Sequence, residues 1–230
     1  MKFIKYFLNK TYKPLLEKYL AKPRKYRYKG NTFLIEPGVF HPGFFFSTKF
    51  LLNFLMSFPL KSKTLLELGA GSGFISLHAS RAGAHVTASD ISLQAFHTIR
   101  VNSELQSEKI QIIHSDLFMS IPRQDFDFIV INPPYYKKDP IAEAEYAWYC
   151  GKNGEYFTRL FAVLSSYMHK DSIVLMVLSE DCDIEMINSA ALKNSFLLNK
   201  LKEKRILWEN NFIYQICFDD DYISQSSKKT

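Results

Sequence analysis

The stretch TLLELGAGSGF, residues Thr64 to Phe74, decides the fold. Its first five residues form a short apolar run broken only by Glu67, the pattern of a strand buried on both faces. Gly69, Gly71 and Gly73 end that strand, because glycine adopts the left-handed backbone angles that a tight turn needs. A strand that exits through a glycine loop into a helix presents the free N–H groups of the first helical turn to an anionic group. The spacing is G-x-G-x-G. A dinucleotide fingerprint would run G-x-G-x-x-G and need a small residue at position 74, where Phe74 stands, so the loop argues against NAD.

The same grammar repeats outward from this loop. Thr64 to Leu68, His85 to Ser89, Ile110 to His114, Phe126 to Ile131 and Ile173 to Leu178 are short aliphatic and β-branched runs separated by helical segments. Strands alternating with helices predict an α/β fold, a doubly wound and mostly parallel sheet covered on both faces. The clearest helix follows Gly154, with Phe157, Leu160, Phe161, Leu164 and Met168 on one stripe. Near the end, LLNKLKEKRILWENNFIYQICF predicts an antiparallel hairpin that turns across Asn210 and Asn211. Before the sheet, Gly30-Asn31, Pro37-Gly38 and Pro42-Gly43 mark an extended, turning segment, and FFFSTKFLLNFLMSF predicts a helix that stops by Pro59.

Two acids fall where this topology ends its strands. Asp90 closes the second strand, placed to accept hydrogen bonds from a ribose diol, and Asp116 follows the third in HSDLF, within reach of an adenine amino group. A glycine loop and two acids at three successive strand ends together predict a nucleoside ligand. The fourth strand runs straight into FDFIVINPPYYKK, residues Phe126 to Lys138. Pro133 and Pro134 delete two backbone donors and fix two φ angles, and a residue before proline is steered away from helix, so Asn132 is held extended at the strand end. An amide or aromatic amine nitrogen is a poor nucleophile, since its lone pair is delocalised. The Asn132 side-chain oxygen and the Pro133 carbonyl would each accept one N–H of such a planar group, and the ring of Tyr135 would cover it.

E-L-G-A-G-S-G, Asp90, Asp116 and N-P-P-Y together resemble the class I S-adenosylmethionine-dependent methyltransferases over roughly residues 61 to 220. The resemblance implies a Rossmann-like methyltransferase sheet with S-adenosyl-L-methionine as cofactor. It also implies binding roles for Glu67, Gly69, Gly71 and Gly73, for Asp90 with Ile91, for Asp116 with Leu117, and for Asn132. Within that family N-P-P-Y is similar to the pattern of enzymes that methylate planar nitrogens, either glutamine amides in proteins or the amine of adenine in RNA and DNA. AEYAWYCGKNGEYFTRLF is similar to the segment that follows N-P-P-Y in HemK-type protein-(glutamine N5) methyltransferases, through Ala147, Trp148, Gly151, Asn153 and Gly154. Lys152 departs from that pattern, and HPGFFFSTKFLL keeps Pro42, Ser47 and Thr48 of the upstream stretch but not its acid. The implied substrate is a release factor or another protein, with rRNA or tRNA as the alternative. A non-catalytic, cofactor-binding RNA or ribosome factor is the third reading, one that predicts a damaged N-P-P-Y. An activating subunit is neither required nor excluded.

The charge is uneven. Residues 1 to 30 hold ten lysines and arginines against Glu17, a net +9 in a chain of net +6. This basic arm points to an anionic partner such as RNA or a ribosome. The chain of 230 residues, 47% hydrophobic, divides into an N-terminal extension over 1–59, a methyltransferase domain over 60–220 and a polar tail over 221–230. Helical spacing of Phe3, Ile4, Phe7, Leu8, Leu15, Leu16, Tyr19 and Leu20 predicts one or two amphipathic helices in the first twenty residues. No apolar run has the length of a membrane span, and the first segment lacks a signal-peptide core, which places the protein in the cytoplasm. Three scattered cysteines without a CxxC, and histidines without metal-ligand spacing, predict reduced thiols and no metal site.

Overall fold

The computed structural model describes residues 18–44, 46–206 and 209–219. The predicted N-terminal helices, apart from the last turn at 18–20, and the polar tail lie outside the described residues. A hairpin of β1 (Arg24–Tyr28) and β2 (Asn31–Ile35) comes first, followed by α1 (Phe46–Leu55). The alternating part comprises β3 (Thr64–Leu68), α2 (Phe74–Arg81), β4 (His85–Asp90), α3 (Leu93–Gln106), β5 (Gln111–His114) and β6 (Phe126–Ile131). It continues through α4 (Glu155–Leu164), β7 (Met168–Ser179), α5 (Ile184–Leu192), β8 (Phe196–Ile206) and β9 (Glu209–Phe218).

Seven strands form one sheet in the order β5-β4-β3-β6-β7-β9-β8. The first five are parallel, while β9 runs antiparallel to both of its neighbours, so the sheet ends in the predicted hairpin. The order reverses between β3 and β6, the place where open α/β sheets bind ligands. Pairing of Leu68 with both Ser89 and Ile131, and of Asp90 with His114, sets these strand ends level. The loops that carry chemistry therefore leave from one edge.

Each face of the sheet has its own core. One core packs β6 and β7 against α4 and α5, with Phe157, Leu160, Phe161 and Leu164 fully buried. The other takes Phe33, Ile35, Leu51, Leu52 and Leu55 from β2 and α1 beneath α2 and the opposite face of the sheet. The described part of the N-terminal extension is thus built into the same core as the sheet. No helix among the described residues is long and apolar enough to cross a membrane.

Several boundaries differ from the sequence reading. Met168 does not continue the α4 stripe. A 3-10 turn at Ser165–Tyr167 ends the helix, and Tyr167 is fixed by hydrogen bonds to the carbonyls of Phe118 and Ile121, so Met168 opens β7 opposite Phe126. The terminal hairpin reverses between Ile206 and Glu209 rather than at Asn210-Asn211. Burying Ile213 and Ile216 against β7 sets Asn211 opposite Ser179, inside the ladder. The extended N-terminal segment begins earlier than expected, with β1 already formed at Arg24.

Candidate active site

The carboxyl edge of β3, β4, β5 and β6 opens into a cleft of about 320 Å³. Glu67, Gly69, Gly71, Asp90, Ile91, Asp116, Leu117, Asn132, Pro133, Pro134 and Tyr135 all line it. Gly73 does not. It caps α2 at φ +74°, and a Cβ there would stand 3.2 Å from Ile99 Cγ2, so its glycine serves the turn and the α2–α3 contact. At Gly69, with φ +71°, a Cβ would meet nothing within 4 Å, so open space lies beside the backbone where a ligand can approach.

The acids hold this end of the cleft together. Asp90 Oδ2 accepts from Gly71 N at 2.8 Å and Oδ1 from Ser92 N at 2.9 Å, which ties the glycine loop to the start of α3. With the Ile91 N–H also directed at it, the carboxylate keeps acceptor capacity for one further donor. Glu67 is buried, and its Oε2 accepts both the N–H and the hydroxyl of Ser76 in α2. Burial pushes the Glu67 carboxyl up to about 8, against the lowering effect of the Ser76 hydrogen bonds and helped by the nearby Asp90. A buried acid with no cationic partner among the described residues is suited to an ammonium group on a ligand. Asp116 pairs with Arg159 of α4 at 2.6 Å.

The other end is built around Asn132. Its Nδ2 donates to Thr48 Oγ1 at 3.1 Å and reaches Ser47 Oγ at 3.5 Å, both on α1. These contacts fix the amide with its oxygen as the unused group. Among the described residues neither Asn132 Oδ1 nor the Pro133 carbonyl accepts a hydrogen bond. Two successive residues of the cleft lining thus each carry an acceptor without an internal partner. Burial raises the Tyr135 pKa far above the ordinary phenol range, so its hydroxyl, near Ser179 at the end of β7, stays neutral. Burial also pushes the nearby Cys182 thiol up to about 12, which leaves it unreactive.

A roof crosses the cleft from the segment after N-P-P-Y. Tyr136 N donates to Trp148 O and Cys150 N to Tyr136 O, each at 3.0 Å, so the loop returns on itself. Its 3-10 turn at Glu143–Ala147 places Glu143 Oε1 2.8 Å from Leu93 N at the start of α3. The Trp148 ring meets Phe40 at 5.3 Å between centroids, joining the roof to the N-terminal segment. Lys137 and Lys138 pair with Asp183 and Glu145 on the rim. Thr48, Glu143, Arg159 and Ser179 are the participants that sequence reasoning gave no role. Ser47 and Thr48 stood out only as part of a motif, and the others carry no signal before the chain is folded. Among the described residues no group of three or more His, Cys, Asp or Glu could hold a metal ion.

The family model for the methyltransferase small domain matches residues 30–148. A bifunctional methyltransferase of Rickettsia conorii is 49% identical over 79 residues, 33% of this chain and 15% of that protein. The chain spans about one seventh of that relative's length. A putative protein N5-glutamine methyltransferase of Methanocaldococcus jannaschii is 30% identical over 152 residues, 62% of this chain and 70% of that protein. Among solved structures, the T. thermophilus 16S rRNA N2 G1207 methyltransferase in complex with AdoMet and guanosine shares the fold. Its TM-score is 0.62 at 20% identity, over 84% of this chain and 50% of that one.

Proposed function

The chain belongs to the methyltransferase small domain family, and from that premise we propose that it methylates a planar nitrogen, the side-chain amide of a glutamine in a translation factor or another protein. S-adenosylmethionine, when bound, supplies a sulfonium methyl that the acceptor nitrogen's lone pair takes as the C–S bond breaks and its electrons return to sulfur. The chain's own groups fit that cofactor: open space beside Gly69 for close approach, a buried Glu67 for the ammonium, Asp90 with acceptor capacity left for a ribose hydroxyl, and Asp116 further along the edge.

The reading is carried by the pair of unpartnered acceptors, Asn132 Oδ1 and Pro133 O. An NH2 group has two hydrogens in one plane, and two fixed acceptors hold both. As the nitrogen acquires positive charge on attack, those dipoles stabilise it, and the methylated amide then releases a proton to water. Neither Tyr135, held neutral, nor any other group at this wall is needed as a strong base. Pro133 and Pro134 keep the acceptors from relaxing, and the Tyr135 ring bounds the slot. The choice of glutamine over adenine draws support from the archaeal relative, aligned over 70% of its length.

The test is to incubate the protein, and its Asn132→Ala variant, with radiolabelled S-adenosylmethionine and with separated protein and RNA fractions from its host. Label is expected in a protein of release-factor size, absent with the variant, on a glutamine located by mass spectrometry. Label in RNA instead would replace the glutamine reading with the adenine one.

A further inference from the structure

Two basic stretches far apart in sequence flank one helix, α1, on the same side of the sheet. In β1 the tyrosines point inward, Tyr26 and Tyr28 against Phe74 of α2, which leaves Lys25 and Arg27 on the exposed outer face of the hairpin. At the far edge of the sheet, β8 exposes every residue from 199 to 205. Lys202 and Lys204 stand opposite Ile213 and Asn211, and Ile213 belongs to the core beneath α1, so both lysines lie on the α1 side of the sheet.

Helix α1 joins the two. On one flank Asn53 Oδ1 lies 3.5 Å from the Tyr28 hydroxyl of β1. On the other, Lys202 Nζ is 5.5 Å from the centre of the Phe54 ring. Near its N-terminus Lys49 lies, like Arg24 of β1, close to the buried His41, whose pKa is lowered by burial first and then by these two cations. The four segments β1, β2, α1 and β8 contain a single acid, Glu203, which is paired with Lys200. Protection of an edge strand accounts for charge on β8 and on β1, an edge of its own two-stranded sheet, but charge of either sign would serve there, and the need does not extend to α1. Lys49 also follows directly on Thr48, the residue that holds Asn132, so this face borders the catalytic end of the cleft.

We propose that the face formed by Lys25, Arg27, Lys49, Lys202 and Lys204 docks the phosphate backbone of a structured RNA. Its positive charge runs from β1 across α1 to β8, a spacing suited to successive phosphates. The inference goes beyond the acceptor reading, since docking requires no methyl transfer.

The experiment titrates a fluorescent stem-loop RNA against the full chain at several salt concentrations. Affinity is expected to fall about a hundredfold between about 50 and 200 mM salt, as displacement of about four phosphate counterions requires. K25E/R27E and K202E/K204E should each weaken binding at least about tenfold and lower the salt slope by about two, and the combined variant should not bind measurably. The neutral pair K202Q/K204Q should fall between K202E/K204E and wild type. Unchanged affinity for S-adenosylhomocysteine shows that the variants are folded. Asn132→Ala should bind RNA like wild type, which separates this test from that of the acceptor. Salt-insensitive binding, unchanged binding in K202E/K204E, or tighter binding to anionic phospholipid vesicles than to RNA would each overturn the proposal.

Discussion

The two ends of the cleft are built differently. At the cofactor end, the glycine loop, Glu67 and Asp90 hold one another over short sequence distances: Gly71 donates to Asp90, Ser76 donates to Glu67, and Ser92, just past β4, donates to Asp90. At the acceptor end, Asn132 takes its orientation from Thr48, 84 residues earlier, and Tyr135 packs on the core that includes Leu178 of β7 and Cys182. One end is a local device, and the other is assembled only when distant elements fold together. Binding and chemistry should therefore fail separately.

The sharpest way to break the comparison is a crossed pair of substitutions. Asn132→Ala should lower kcat about a thousandfold, the scale of losing a fixed dipole at the reacting group, with cofactor affinity held within about twofold. Asp90→Ala leaves Gly71 N and Ser92 N without their charged acceptor and should weaken cofactor binding about a hundredfold, while kcat at saturating cofactor recovers most of its value. Calorimetric affinities and saturating methyl-transfer rates read the two effects apart. If both substitutions lowered affinity equally, the cleft would be one cooperative site and not two.

The same division explains what was legible in the sequence. The glycine loop, Asp90, Asp116 and N-P-P-Y are contiguous motifs at strand ends, and once the strands were recognised their convergence on one edge followed from parallel topology. Thr48 could be noticed but not assigned, because its distance to Asn132 depends on how α1 lies against β7 and α2. The basic face was half visible, since the N-terminal lysines cluster in sequence while those of β8 join them only through α1. The hairpin turn was misplaced for a related reason. Asn210-Asn211 is the stronger local turn former, but the pairing of β9 with β7 buries Asn211 and moves the reversal upstream. Local chemistry loses wherever a core register is at stake.

A smaller effect sharpens the acceptor end. Thr48→Val keeps the shape of the side chain but removes the oxygen to which Asn132 Nδ2 donates. The amide can then rotate and present its nitrogen to the cleft. A drop in kcat of about tenfold is expected, a loss of roughly 1.4 kcal/mol of transition-state stabilisation, with unchanged cofactor affinity. Thr48→Ser should restore the rate, since it restores the oxygen. Equal rates in Val and Ser variants would mean that packing of α1, and not the hydroxyl, matters.

The smallest effect belongs to Glu67 and is read in its pH dependence. Burial holds its carboxyl near 8 in the ligand-free protein, well above 4.5 for an exposed glutamate. The folded state then binds a proton that the unfolded chain has released, so ligand-free stability declines as pH rises from about 4.5 through about 8. Most carboxylates with native partners do the opposite, as Asp127 does here, held at about 2 by Lys63 and Thr64. An ammonium brought against Glu67 favours its ionised form, so cofactor binding should release a proton near neutrality. Affinity should then rise with pH from about 6 to a maximum near 8, where the ligand's own amino group begins to lose its charge. Glu67→Gln can still accept from Ser76 but cannot ionise. It should flatten both trends, leaving affinity at pH 6 within a few-fold of wild type and removing the gain toward pH 8. Proton release, measured by calorimetry in buffers of different ionisation enthalpy, should vanish with it. If release persisted in the Gln variant, the proton would come from another group, and the ammonium would have to be placed elsewhere in the cleft.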